Sequence, residues 1–399
     1  MNTIHKQRKN QRGAVSLFSV IFAMLLMAVI TVSFLRIMVA DQTEATNNDL
    51  AQSAYDSAQA GVEDAKRALI WYVNQCKSGS ASACTTAQSV ISSGTCNVAI
   101  RTANGWTETN GEIKVQQSAQ VDEATGVSID QALDQAYTCV TLQLNTDDYV
   151  STVAANQSII VPLKGTNTFN SIKIEWFSQE DLSSAGGTAK PDTTATNPKP
   201  MVKNWPTDRP AVVRTQLMQV GASFTLSDFD AVTSDSKSNA NTVFLYPSTT
   251  GVTNTSFIER DPRIRNEAAS SNSSPLPVKC VATIPSGGYS CSVTLTLPIP
   301  VGASNRNESS TITYLRLTSL YTASHVRVSL GDNAQFNEVQ PIVDSTGRAS
   351  SVFRRVQSRV DLYDTSSFPY PDGVLDVSSD LCKDFVITDT AYYAGSCTP

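Results

Sequence analysis

The chain has 399 residues, a formal net charge of −6 and 41% hydrophobic residues, which is long enough for a sizeable core and for two domains. Its charge is uneven: residues 1–40 hold five Lys and Arg and no acid, so the remainder carries 25 basic against 36 acidic residues. A body this acidic is soluble and self-repelling, which argues against a general nucleic-acid binder, although Arg354, Arg355 and Arg359 form a local basic run.

Residues 1–13 form a basic arm with Lys6, Arg8, Lys9 and Arg12, closed by Gly13. Residues 14–35, AVSLFSVIFAMLLMAVITVSFL, follow at once and contain no charge. As a helix they reach about 33 Å, one hydrocarbon core. An ordinary secretory signal has an apolar core of roughly 7–15 residues and a small-residue cleavage site. Here the core is longer, and Arg36 follows Leu35 with no clear A-x-A before it. On the residues alone, an uncleaved single-pass anchor stays open. In either case the flanking basic residues favour the cytoplasmic side for the amino end, and the rest of the chain is exported.

The helical signal continues past the apolar run, since no glycine or proline occurs between Gly13 and Gly61. Leu50, Ala54, Ala58, Gly61, Ala65 and Leu69 fall on one stripe, widened by Val62 and Val73. Asp49, Gln52, Asp56, Glu63 and Lys66 take the other face, the pattern of a half-buried amphipathic helix. One helix over 14–74 would be about 90 Å long, far beyond the usual globular length.

The run RGAVSLFSVIFAMLLMAVITVSFLRIMVADQTEATNNDLAQSAYDSAQAGVEDAKRAL resembles the amino-terminal region of PilX-type minor pilins of type IV pili. The likeness covers about the first 70 residues. It implies that a prepilin peptidase cuts after Gly13 and methylates the new terminus at Ala14, and that other pilins are partners through the stem. Most pilins carry a glutamate at the fifth mature position, where this chain has Phe18. That glutamate is thought to pair with a neighbouring subunit's amino terminus. Its loss eases residence in the membrane, where a buried carboxylate costs about 2.5–3.5 kcal/mol, and removes a recruitment contact. Phe18 therefore implies a subunit that is rare in the filament or sits at its tip. The proline kink that many major pilins have in the stem is also missing.

All eight cysteines lie beyond the apolar segment, as expected for disulfides in an oxidising compartment. Eight cysteines allow 105 pairings. Nearest-neighbour pairing predicts Cys76–Cys84 closing a polar loop after the stem, Cys96–Cys139 joining two strands, Cys280–Cys291 across a Pro-Ser-Gly-Gly turn, and Cys382–Cys397 tying down the carboxyl end. A metal centre has little support: there is no C-x-x-C, and the only histidines are His5 and His325.

After residue 75 the period shortens to two in many stretches: 96–102, 112–118, 137–145, 158–164, 171–177, 212–220, 292–299, 313–321, 325–330 and 352–363. Their Val, Ile, Thr and Tyr content predicts β-strands. A short helix is expected over 128–135. The Pro/Gly/Ser/Thr-rich stretch 179–210 reads as a long loop or boundary, and 264–276 is a second polar stretch. The organisation expected is thus a leader at 1–13, a transmembrane and stem helix at 14–74, a β-rich pilin-like region at 75–178, a boundary at 179–210 and a second β-rich region at 211–399. The fold class is α+β, a stem helix carrying a β-rich, disulfide-containing head.

Chemistry is sparse. There is no H-E-x-x-H, G-x-S-x-G or Walker loop, so no catalytic step is expected. Ser234 and Lys237 match S-x-x-K by letter only, in a serine-rich run. His325 lies in a strand pattern and reads as a structural residue. Asp228, Asp230 and Asp235, and again Asp372, Asp376 and Asp380, make oxygen-rich stretches of the kind that bind calcium. Neither follows the EF-hand spacing, and Asp-rich turns ordinarily serve as turns. Tyr363, Phe368, Tyr370, Tyr392 and Tyr393 supply aromatic surface or core near the carboxyl end. The expected role is a minor pilin supporting pilus assembly, adhesion or twitching. A membrane-anchored surface adhesin and a type II secretion pseudopilin are the alternatives.

Overall fold

With no proline and only Gly61 in its interior, the amino-terminal segment forms one helix, α1 (Arg12–Ser78), of 67 residues, about 100 Å long. The structure is a computed structural model describing residues 12–115, 134–193, 205–219, 241–260, 275–303 and 313–362. Gly79 closes α1 by donating its N–H to the Gln75 carbonyl (3.0 Å). Ser80 then caps α2 (Ala81–Ile91), its hydroxyl accepting from the Ala83 N–H. A third helix, α3 (Val98–Asn104), stops at Gly105, whose φ of +71° suits a residue without a Cβ.

Fourteen strands follow among the described residues. They are β1 (Ile113–Lys114), β2 (Gln135–Thr146), β3 (Asp148–Val153), β4 (Ser158–Pro162), β5 (Phe169–Ser178), β6 (Val212–Gln219), β7 (Thr242–Ser248), β8 (Asn254–Ser256), β9 (Leu276–Lys279), β10 (Tyr289–Val301), β11 (Thr313–Leu320), β12 (Ser324–Leu330), β13 (Phe336–Ala349) and β14 (Val352–Arg359). They make three sheets, ordered β1-β2-β13-β14, β3-β12-β5-β10-β8 and β4-β11-β6-β7-β9. The first is antiparallel throughout. The other two each end in one parallel pair, β8 with β10 and β7 with β9.

The first sheet lies on the carboxyl half of α1. Val62, Ala65, Leu69 and Tyr72 of the helix join Val140, Leu142 and Val343 of the sheet in one buried cluster, which Ile91 of α2 and Ile100 of α3 complete. Alternation within β2 and β13 buries one face and leaves the other to solvent. The layers meet closely at two glycines. A Cβ on Gly347 of β13 would fall inside contact distance of the Ala54 oxygen and Ala58 nitrogen of α1, and one on Gly61 would strike Ser345 and Val140.

The other two sheets are nested inside the first. β2 and β13 are hydrogen-bonded neighbours, with Phe336 opposite Thr146, and the ten strands between them in sequence build both five-stranded sheets. The Trp176 indole of β5 donates to the Ala211 carbonyl just before β6 (3.0 Å), crossing from one sheet to the other.

Several expectations need correction. The division at 179–210 is not a division of sheets, because each sheet takes strands from both sides of it. A Pro/Gly-rich stretch marks a place where the chain can turn, not where its contacts end. Residues 96–102 are not a strand: they form a turn and α3, whose short apolar run also fits helical spacing. Cys84 lies on α2 rather than in a loop. Of the helix expected over 128–135, residues 128–133 lie outside the described residues, and Gln135 opens β2.

Candidate functional site

The exposed half of α1 is the most unusual surface among the described residues. Its large apolar side chains from Leu17 to Val39 all face outward, including Phe18 at 74% exposure. Packing against the protein's own body begins only around Ala54 and Ala58, both 0% exposed. Among the described residues this is the one helix whose length and composition allow it to cross a membrane. It is a candidate membrane anchor. Its hydroxyls are suited to an apolar setting: Thr31 donates to the Met27 carbonyl (2.7 Å) and Thr43 to that of Val39 (2.7 Å). Such back-bonding satisfies a side-chain polar group without water. Gly13 and Ala14 lie within α1.

Polar contacts fix where the stem meets the head. The Tyr137 hydroxyl of β2 donates to Asp64 of α1 (2.8 Å). Burial and then that carboxylate push the phenol well above its ordinary pKa. Near the helix end, the Tyr72 hydroxyl donates to Glu338 of β13. Asn97 takes the place of a strand beside β2: its backbone N–H donates to the Val140 carbonyl (3.0 Å), its side-chain oxygen accepts from the Val140 N–H (2.9 Å), and its amide donates to the Thr138 carbonyl (3.1 Å). Across the sheet, Arg348 bridges Glu112 and Asp134. The Arg348 hydrogen bond, then that of Lys114, holds the Asp134 carboxyl at about 2.

Three disulfides join described residues: Cys76–Cys84, Cys96–Cys139 and Cys280–Cys291. The settings of the first two differ from those expected, whereas the third spans the expected turn. The first ties the last turns of α1 to α2, and the second ties the turn before α3 to β2. The third pairs the residue after β9 with β10, so it staples the two nested sheets around a turn in which the Gly288 N–H donates to Pro285 O (2.9 Å). Cys382 and Cys397 lie outside the described residues. So do Asp228, Asp230, Asp235, Asp372, Asp376 and Asp380, as well as Ser234, Lys237 and the aromatic residues from Tyr363 onward. Among the described residues no group of three metal-ligating side chains converges.

His325 is the second residue of β12, and its ring nitrogens face Asp181 (2.7 Å) and Glu180 (3.2 Å). Asp181 also accepts from the His325 backbone N–H and caps its own short turn through the Ser178 N–H. With Asp181 bonded to the backbone of both segments, the cluster acts as a clasp between β12 and the turn after β5. The single sequence hint of Asn97 was an amide next to a cysteine. Nothing local marked Gly347 or Glu338, because their roles depend on a partner far along the chain. Comparison of the chain with known families, curated proteins and solved structures yields no match.

Proposed function

We propose that the chain is a minor pilin, a non-catalytic subunit that assembles through its stem and presents its head at the outside of a type IV pilus. One observation carries this reading. A single unbroken helix has an uncharged run at 14–35 that directly follows Gly13, with its large apolar side chains exposed from Leu17 onward, and a second half docked on an antiparallel sheet. An anchor that only spans a bilayer needs about 20 residues. A helix more than three times that length gives one apolar surface that can be held by lipid and then by neighbouring stems. The disulfide-linked head accords with an oxidising exterior.

The test is the amino terminus of the protein recovered from sheared filaments, read by mass spectrometry. A chain beginning at a methylated Ala14 is expected. An intact Met1 in that fraction overturns the pilin reading and leaves an anchored surface adhesin with the same architecture.

A further inference from the structure

We propose that the solvent face of the first sheet is a binding site for a neutral saccharide about two rings long. A groove of about 470 Å³ lies there, within the ~300–1,000 Å³ range of small-ligand sites. Its floor is set by register. Thr141 of β2 stands opposite Asp344 of β13, which stands opposite Gln357 of β14. Gln143 continues the same face of β2. Strands lie about 4.8 Å apart, so the Thr141-to-Gln357 row spans roughly 10 Å. The loop after α2, at Ser92 and Gly94, makes one wall, and Asn145 and Gln335 close one end.

The lining chemistry selects the ligand. Among the described residues Asp344 is the ionisable one of the lining, and Arg355 neutralises it with bonds from Nε to both carboxylate oxygens (2.8 and 3.0 Å). A charged ligand gains no net attraction from such a pair, and an apolar one strands the amides. Primary amides and hydroxyls both donate and accept, which matches adjacent sugar hydroxyls. Two of the amides are held in place beforehand. Gln143 donates to the Asn145 carbonyl (2.8 Å) and Gln335 to Asp147 (2.7 Å). Fixing these rotamers before binding reduces the entropy lost on binding. Among the described residues no aromatic ring lines the groove, so recognition works through hydroxyls rather than by stacking on a sugar face.

The site stands independently of the assembly reading, because binding requires neither leader cleavage nor a filament. The experiment uses the full chain in a detergent without a sugar headgroup. Saturation-transfer NMR is run with lactose, cellobiose and N,N′-diacetylchitobiose, and with 3′-sialyllactose as an anionic comparison, at concentrations suited to dissociation constants near about 1 mM. Saturation transfer to at least one neutral disaccharide is expected. It should weaken at least tenfold in the Gln143→Ala/Gln357→Ala double variant and in Thr141→Tyr, which fills the groove, with melting temperatures unchanged. Absence of transfer to all three neutral sugars overturns the proposal. So does transfer that both variants leave intact, or a preference for 3′-sialyllactose that is lost in Arg355→Ala.

Discussion

Replacing Gly347 with alanine tests whether the stem and the sheet dock through backbone contact. The new methyl would sit 2.8 Å from the Ala58 Cα and closer still to the Ala54 oxygen and Ala58 nitrogen. Carbon atoms in good contact lie about 3.5–4.0 Å apart, so the layers must part by roughly 1 Å. All three opposing atoms are helix backbone, so no side chain can rotate away. Overpacking typically costs about 1–3 kcal/mol, and a backbone obstacle places this site at the upper end. Removing a glycine from a strand interior returns about 0.5–1 kcal/mol, leaving a net loss near 2 kcal/mol. With about 2.1 cal/mol/K of unfolding entropy per residue over 399 residues, that lowers the melting temperature by about 2–3 °C. The assay is thermal unfolding of the full chain in micelles followed by near-ultraviolet circular dichroism, which reads Tyr72 and Tyr137 in the layer between helix and sheet. Gly302→Ala is the control, since a Cβ there meets nothing. Adding Ala58→Gly should not rescue Gly347→Ala, because the obstruction is not the Ala58 methyl. If Gly347→Ala melts with the control, the close docking described here is wrong.

Stability should fall in acid. Asp134 is held at about 2, chiefly by Arg348, and Glu175 is held below the ordinary carboxylate range because Arg327 and Lys173 outweigh the opposing effect of its burial. In the unfolded chain both titrate near pH 4, so their contribution is complete above about pH 5 and is lost as pH drops from there towards 2. Melting temperatures across that window should show the decline, and Arg327→Met should flatten it. Cys96→Ser/Cys139→Ser opens a 43-residue separation and should cost about 4 kcal/mol on the chain-entropy account, against about 2.5 kcal/mol for Cys76→Ser/Cys84→Ser; denaturant midpoints would show whether that order holds. Asn97→Ala strips hydrogen bonds from buried β2 backbone and forces alanine to a φ of 63°, so a loss of about 2–3 kcal/mol is expected by chemical denaturation. Phe18→Glu should raise this subunit's ratio to major pilin in sheared filaments, normalised to its membrane pool; an unchanged ratio would locate recruitment in the head.

The elements whose information is local were legible in the chain. The uncharged run, the unbroken stem and strands such as β5, β6, β11 and β12 follow from composition and period alone. β13 escaped notice because FNEVQPIVDSTGRA holds Pro341, Asp344 and Gly347. Its register shifts between Asn337 and Ile342, so no clean alternation runs through it. Its pairing with β2 across the whole nested unit has no local trace at all. The groove was hidden for the same reason. Thr141 and Gln143 look like ordinary outward polar residues until register places Asp344 and Gln357 beside them.

The disulfides acquire a mechanical meaning from the nesting of the two sheets. A pull on the nested unit enters through β2 and β13 at one shared end, drawing both strands the same way, so the bonds between them are not sheared. The strain falls instead on the contact between that strand pair and the stem. If the contact yields, slack is limited by covalent links. Tension passes from β2 through Cys139 to Cys96, back along the chain to Cys84, and through Cys76 into α1. That route extends by only about 40 Å at ~3.4 Å per residue, whereas the unlinked chain from Cys76 to Cys139 would run out to about 210 Å. The head is thus tethered on a short leash: reduction would lengthen its reach under tension about fivefold without changing what it touches at rest.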